Sequence, residues 1–542
     1  MRVLIFHGYL LSGTGSNVYN ARLAEALVKL GHEVHLFSQD RHPLRQPFVS
    51  ASGEWDADRL RLQAHGGAHP DHSAPCTVYR PNLGGLLPVY VPDRYEGIEA
   101  KTFAQCSEGE VASYIDANVQ AVREVAELVR PDLALANHLV MGPVILARAL
   151  PESTPYAVKV HGSALEYTVK REPERFLSFA REGLARAKTV LVGSRHTAES
   201  LWEALEDPDL RTRTRLGPPG VDVERFAPCE PARTETTMRG LIEKLRQGRS
   251  EPTGEDEQAS AFARDDAAAA AALTRVADGS GPLVAFVGKL IVSKGVDLLI
   301  AAWPLVLRAV PAARLLIVGF GAYREGLELL IARLSAGDLD GAKEIARAGR
   351  GFETSHASTV SNNPAESSGG PPLRHLLAFL DSLSDAEADE YREEANAMSG
   401  QVVLVGRLDH DELADVLPAC EALVVPSTFP EAFGMVAVEA AACGVLPINA
   451  AHSGLAEVSD TIAGEVPQQV AEWLSFPVDD GAVRAIAEHV VDWLEADCAL
   501  KQRAREQLAS VARERWSWQG VAGGVIAAAL GEGVSGRFPE RV

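Results

Sequence analysis

Short apolar runs, four or five residues long, recur along the chain and alternate with longer stretches of helical period. The runs at residues 2–6 and 33–37 flank a helical pattern that follows a loop reaching Asn17 and ends at Leu30, with Gly31 and His32 as its stop. Further runs follow at 132–136, 156–160 and 189–192. The pattern restarts at 283–287, continues through a helix near 296–309, and adds strands at 314–318, 402–405 and 422–425. A run that is apolar at every position is one buried on both faces, as strands of parallel sheets are. Strands spaced by helices require right-handed crossovers, so the expected class is α/β with two Rossmann-like domains. Ligands of such sheets bind at the carboxyl ends of the strands, and two facing sheets would enclose a cleft.

At 542 residues the chain exceeds a single core. Two stretches depart from the alternation. Residues 231–280 read as a polar, partly helical insertion, with an alanine run at 267–272, and 335–400 carry the segment SHASTVSNNPAESSGGPP between helical flanks. The expected division is therefore 1–228, a linker at 229–280, a second domain at 281–515 and a closing helix and tail at 516–542 that return to the first domain.

Charge excludes one class of partner. The net charge of −22 is uneven: residues 1–228 hold 25 Lys and Arg against 28 Asp and Glu, so the remainder holds 27 against 46. An excess of that size opposes nucleic-acid binding, which needs clustered cations. The six cysteines are scattered without a C-x-x-C pair, which favours free thiols over disulfides or zinc. No run long enough to span a membrane occurs, and the start lacks a secretory signal pattern, so a cytoplasmic protein is expected, with attachment at a membrane surface left open.

The densest chemistry lies in PSTFPEAFGMVAVEAAACGVLP, residues 426–447. Glu431 falls on a loop after a buried strand, and Glu439 falls inside the helix that follows. The amides of Phe433, Gly434 and Met435 lie where that helix begins, a ready anion site. A loop carboxylate, an amide nest and a second carboxylate can hold a sugar, a diphosphate and a ribose, although a solvated loop Glu and a helix-surface Glu would give the same letters. Lys289 and Lys294 follow a strand and open a helix, where they could meet a diphosphate. Ser12-Gly13-Thr14-Gly15-Ser16-Asn17 fits neither a dinucleotide fingerprint nor a triphosphate loop, because Val18 replaces the third glycine and no Lys follows. Asp56-Ala57-Asp58 spells D-x-D in a polar loop with no apolar strand before it, and it is set aside. No metal-ligand cluster stands out, so catalysis is expected without a divalent ion.

Taken with its strand and Phe-Gly turn, the E-x7-E spacing resembles the signature of the family 4 retaining glycosyltransferases. The resemblance covers most of residues 1–230 and 281–530. It implies a GT-B arrangement and a sugar-nucleotide donor, with UDP favoured over GDP or ADP, no other cofactor, and a small-molecule or glycan acceptor. By the same resemblance Lys294, Glu431 and His161 serve the transfer. The diphosphate falls to Lys289, Lys294, Gly13, Gly15 and the Phe433–Met435 amides, the ribose to Glu439, and the base side to Arg407 and Leu408. Lys289 stands where Arg is more common, Pro219 where Asn is common, and Leu139 where an aromatic is expected. Asn17-Val18-Tyr19 and Lys101 look like acceptor-side motifs of inositol-phosphate N-acetylglucosaminyltransferases, a lead toward an anionic acceptor. A nucleotide-sugar epimerase and a binding regulator without turnover stay open as alternatives, as do the oligomeric state, the base and the sugar.

Overall fold

A computed structural model describes residues 1–12, 15–56, 59–64, 74–90, 99–248, 264–354, 371–532 and 540–541. The chain divides into two units, Met1–Gly220 with Arg515–Val542, and Val221–Glu514. The closing segment thus belongs with the first unit, as the sequence leads one to expect.

In the first unit the strands are β1 (Arg2–Phe6), β2 (Glu33–Phe37), β3 (Ala51–Asp56), β4 (Arg59–Ala64), β5 (Cys76–Arg80), β6 (Leu86–Val89), β7 (Glu99–Thr102), β8 (Leu133–Asn137), β9 (Tyr156–Lys159), β10 (Thr189–Val192) and β11 (Thr214–Leu216). The main sheet runs β11-β10-β9-β8-β1-β2-β5-β3-β4, and a separate pair is β6-β7. The short strand Glu540–Arg541 adds to β11 antiparallel. Along β1 the side chains alternate between two cores, Val3 and Ile5 in one, Leu4 and Phe6 in the other. Helix α1 (Gly15–Lys29) and the final helix, Trp518–Leu530, cover the Val3 face together. That closing helix is rich in Ala and Gly, and Gly220 lets it come close: a Cβ there would lie 2.6 Å from the Trp518 ring.

Two local expectations need correction here. Helix α1 starts at Gly15, before Asn17, because the Asn17 side chain turns inward to bond His7 and Ser12 within the first turn. Asp56 is the end of strand β3 in an antiparallel pair with β4, not part of a polar loop, and it ion-pairs with Arg61. Ala57 and Asp58 lie outside the described residues.

In the second unit the strands are β12 (Leu283–Val287), β13 (Arg314–Val318), β14 (Val402–Gly406), β15 (Ala422–Val425), β16 (Leu446–Ala450) and β17 (Ser475–Phe476). Their order is β14-β13-β12-β15-β16-β17, parallel throughout. In terms of succession this is 3-2-1-4-5-6, the order of the doubly wound dinucleotide-binding sheet, with its topological switch point between β12 and β15.

Of the stretch expected to be a polar linker, residues 249–263 lie outside the described residues, and the helices on either side pack into the second unit. Helices α2 (Pro231–Gln247) and α3 (Asp266–Asp278) pack on each other, and α3 lies against β14. Ala269, Ala270 and Ala272 are buried, so the alanine run is a close-packing face. Composition misled because small residues read as linker until a neighbour at short range is known. Arg264 fastens the start of α3 to Glu412 at 3.0 and 3.2 Å. The helical flanks of 335–400 also build in: Tyr391 is buried and donates to the Ala301 carbonyl at 2.8 Å. The Ser/Asn/Gly/Pro segment at 355–370 lies outside the described residues.

Candidate functional site

The second unit's candidate residues gather on the carboxyl edge of its sheet, astride the switch point. Lys294 ends a single 3-10 turn after β12 and precedes α4 (Val296–Ala309). The hinge between them is Gly295, at φ +64°, where a Cβ would come within 2.0 Å of the Pro426 carbonyl oxygen. Only glycine tolerates both the left-handed backbone and that approach. It brings the loop after β12 against the loop after β15, and Thr428 N donates to the Ser293 carbonyl at 2.9 Å.

Across this seam the Lys294 ammonium ion-pairs with Glu431. The same carboxylate oxygen accepts from the Ser427 hydroxyl at 2.6 Å. The Glu431 amide donates to Ser453 Oγ at 2.8 Å, and the Gly454 amide donates to the Glu431 carbonyl at 3.0 Å. His452 bridges the Ser427 carbonyl at 2.7 Å and Ser453 at 3.0 Å. Glu431 is therefore held from β12, β15 and β16 at once, which fixes its position to that of Lys294. Helix α5 (His410–Val416) follows β14 and α6 (Met435–Ala442) follows the Glu431 loop. The N-cap of α6 is Gly434, which has no side chain to satisfy the first-turn amides, so they remain suited to an anion.

Glu439 is buried inside α6, and its carboxylate stands 3.6 Å from His410 Nε2. Arg407 lies over the Phe320 ring at 5.6 Å and 3.4 Å from Asp409. Phe320 belongs to the Gly319-Phe320-Gly321 turn after β13, so the ends of β13 and β14 meet beside Glu439's partner. Leu408 is half-buried next to them, and Lys289 is exposed at the end of β12. The sequence singled out Lys294, Glu431, Glu439 and Arg407. It missed Ser427, His452, Ser453 and His410, which act on those residues from neighbouring loops, and for which local spacing gave no signal.

Asp297, in the first turn of α4, is a further missed residue. It is buried, its Oδ1 has no hydrogen-bond partner, and burial pushes its carboxyl up to about 7. A carboxyl whose folded pKa is raised loses stability as pH rises from its unfolded value toward that folded one. Asp297→Asn is thus expected to melt like the parent near pH 4 and, being more stable than the parent by about a few kcal/mol at most, to melt higher at pH 8. Equal melting temperatures at pH 8, followed by differential scanning calorimetry, would contradict a buried charge here.

On the first unit's carboxyl edge three histidines follow consecutive strands in space. His7 follows β1, His138 follows β8, and His161 lies just past β9. Ring centroids are 5.9 Å apart for His7 and His138 and 4.9 Å for His138 and His161. His161 Nε2 lies 2.8 Å from Asn137 Oδ1, so that nitrogen carries the proton and Nδ1 is left as an acceptor. Burial, then the neighbouring His138, Lys159 and His7, hold its pKa well below the usual histidine value. His7 is pushed down to about 4 by burial, against its hydrogen bonds to the Asn17 Oδ1 and the Leu10 carbonyl. His138 is buried at φ +67° with neither ring nitrogen bonded among the described residues. Lys159 is buried too, lowered to about 7 by burial, and donates to the Gly217 carbonyl at 2.5 Å.

The other first-unit candidates are placed differently from one another. Gly13 lies outside the described residues, and Gly15 opens α1 with open space about its Cα. Asn17 is buried and spends its amide on His7 at 2.9 Å and Ser12 at 2.6 Å. Lys101, on β7, is paired with Glu110 at 2.9 Å and Glu99 at 3.4 Å. Among the described residues no group of His, Cys, Asp and Glu is arranged to hold a metal ion, all six cysteines are free, and no helix is long and apolar enough to cross a membrane.

Comparison with known proteins gives matches in both units. The Glycosyl transferase 4-like domain matches residues 14–217, and the Glycosyl transferases group 1 family matches 384–514. A D-inositol 3-phosphate glycosyltransferase of Segniliparus rotundus is 28% identical over 255 residues, which are 46% of this chain and 40% of that relative's length. Among solved structures, sucrose-phosphate synthase from Thermosynechococcus elongatus has a TM-score of 0.52 at 18% identity, covering 96% of each chain. Anabaena Alr3699/HepE in complex with UDP-glucose has a TM-score of 0.51 at 16% identity, over 97% of this chain and 98% of that one. At those identities the likeness is one of fold.

Proposed function

Because the chain belongs to the family 4 glycosyltransferases of GT-B fold, we propose that it moves a hexose from a nucleoside-diphosphate sugar to an acceptor hydroxyl, with retention and without a metal ion. The observation that carries this reading is the Lys294–Glu431 pair at the switch point of a 3-2-1-4-5-6 sheet, beside an uncapped helix start. Lys294 and the first-turn amides of α6 would stabilise the diphosphate as its charge grows on departure. Lys289 adds a second cation on the same strand end. Glu439 would accept from the ribose hydroxyls, and Arg407, stacked on Phe320, would flank the base.

Glu431 orients the sugar in this reading, since Lys294 and Ser427 already engage one of its oxygens. No protein nucleophile is assigned. His161 of the first unit, kept neutral with Nδ1 open, would accept from a sugar hydroxyl. UDP is the favoured nucleotide, in keeping with the UDP-glucose bound by Anabaena Alr3699/HepE. The name of the Segniliparus relative supports an anionic acceptor.

The test is a panel of UDP-, GDP- and ADP-sugars followed by thermal shift, then by release of nucleoside diphosphate. UDP-sugars are expected to raise the melting temperature most and to be turned over slowly by water in the absence of acceptor. A donor-only isomerised nucleotide sugar would instead identify an epimerase. Binding without any release, with candidate acceptors present, would identify a regulator.

A further inference from the structure

Helices α2 and α3 precede β12 in the chain, yet they pack at the far edge of the second unit's sheet, against α5 and β14. Arg264 stands at the start of α3 with its side chain 10% exposed, and its guanidinium meets three carboxylates. It ion-pairs with Asp266 on its own helix. It also reaches Asp409 Oδ2 at 3.0 Å and the two oxygens of Glu412 at 3.0 and 3.2 Å. A planar fork suits such a spread of acceptors, which a single ammonium does not span.

β14 ends at Gly406 and α5 begins at His410, so Arg407, Leu408 and Asp409 make up the whole turn between them. Arg264 holds that turn at its last residue, Asp409, and again inside α5, at Glu412. These two acceptors are themselves joined, since the Asp409 amide donates to Glu412 Oε2 at 2.8 Å. Asp409 Oδ1 faces Arg407 at 3.4 Å, and His410, the next residue, stands 3.6 Å from Glu439. Contacts therefore run from α3 to the guanidinium over Phe320 on one side and to the carboxylate of α6 on the other.

Loss of the Arg264 guanidinium would leave the Glu412 side chain, 6% exposed, with Lys244 at 3.9 Å. A nearly buried carboxylate that loses a close cation is costly, and moving toward water relieves it. Such a move carries the Asp409 amide, and with it the turn that bears Arg407 and Leu408. α5 keeps other fastenings. The Phe226 ring lies 5.0 Å from that of His410, and Arg225 donates to the Asp411 carbonyl at 2.8 Å. The helix thus stays in place and the shift falls on the turn.

We propose that Arg264 is a positioning residue for recognition of the nucleotide base, and that the helical pair which carries it sets the base preference of the donor site. The proposal rests on the reading of Arg407 and Leu408 as the base side, and it adds a residue that touches neither base nor sugar. Diphosphate and ribose contacts are common to every nucleotide, so a displaced turn shows in the ratio of affinities between bases.

The experiment titrates UDP, GDP and ADP into the full chain by calorimetry, for wild type, Arg264→Gln and Lys244→Gln, with melting temperatures alongside. Wild type is expected to bind the best of the three about tenfold or more tightly than the poorest. Arg264→Gln is expected to cut that ratio by about threefold or more, mainly by weakening the preferred nucleotide. Lys244→Gln removes a largely exposed charge near the same carboxylate and is expected to keep the ratio. Should Arg264→Gln unfold, Arg264→Lys retains a charge beside Glu412 without the fork, and is expected to fold and to lower the ratio likewise. An unchanged ratio in a folded Arg264 variant, an equal effect of Lys244→Gln, or the failure of both Arg264 variants to fold would each overturn the proposal. Wild-type binding separates the two readings. Nucleotides bound without discrimination overturn this proposal alone, whereas no binding of any of the three overturns the transferase reading on which it stands.

Discussion

Lys294→Ala is expected to lower turnover by about 10²-fold or more while the melting temperature stays near that of the parent. The loss follows from where the ammonium sits. It is fixed by Glu431 at the switch point, at the mouth of α4, so in the proposed reading its charge would meet a departing diphosphate without reorganisation. The fold is expected to survive because the side chain is part-exposed and its carboxylate partner keeps the bond from Ser427. Lys294→Arg should restore activity only in part, since a planar fork does not occupy the place of a compact ammonium. The measurement is nucleoside-diphosphate release from the donor that most stabilises the parent, with melting temperatures alongside. Near-normal turnover in a folded Lys294→Ala protein would remove this residue from the mechanism.

Most of the fold was legible because parallel strands buried on both faces announce themselves as uninterrupted apolar runs. β1, β2, β10, β12, β13 and β15 lie where those runs stand. The strands that escaped notice lack that mark. β4, RLRLQA, is a largely exposed edge strand, and β3, ASGEWD, alternates too loosely to be read. The alanine run of α3 failed for the opposite reason, since its burial depends on a partner distant in sequence, β14.

The candidate site was legible where one short segment carried several groups, as at Glu431, Gly434 and Glu439. It was illegible where a group is set by a neighbouring loop. Ser453 reaches Glu431 from beyond β16 with His452 bonded beside it, and His410 reaches Glu439 from the start of α5. Asn17 shows the reverse case. Its motif drew attention to acceptor chemistry, but its amide is spent on His7 and Ser12, which shape the loop after β1.

The ribose assignment makes the second large prediction. Glu439→Gln is expected to cost on the order of 1.5–3 kcal/mol in nucleoside-diphosphate binding, because a charge-assisted acceptor becomes a neutral amide. The burial of Glu439 sharpens the effect, since an unpaired polar group costs more where water has little access. The variant is also expected to discriminate poorly between a ribonucleotide and its 2′-deoxy analogue, as the contact proposed to tell them apart is the one removed. His410 remains in place at the start of α5, so the proposed base-side contacts should persist and some affinity with them. Glu431→Gln should behave differently, lowering turnover more than affinity for the free diphosphate, because in the proposed reading its partner is the sugar. Calorimetric titration of the diphosphate and its deoxy analogue, beside initial rates for both variants, distinguishes the two roles. Should Glu439→Gln bind like the parent, the two carboxylates do not divide ribose and sugar between them, and the buried Glu439–His410 contact serves only to join α5 to α6.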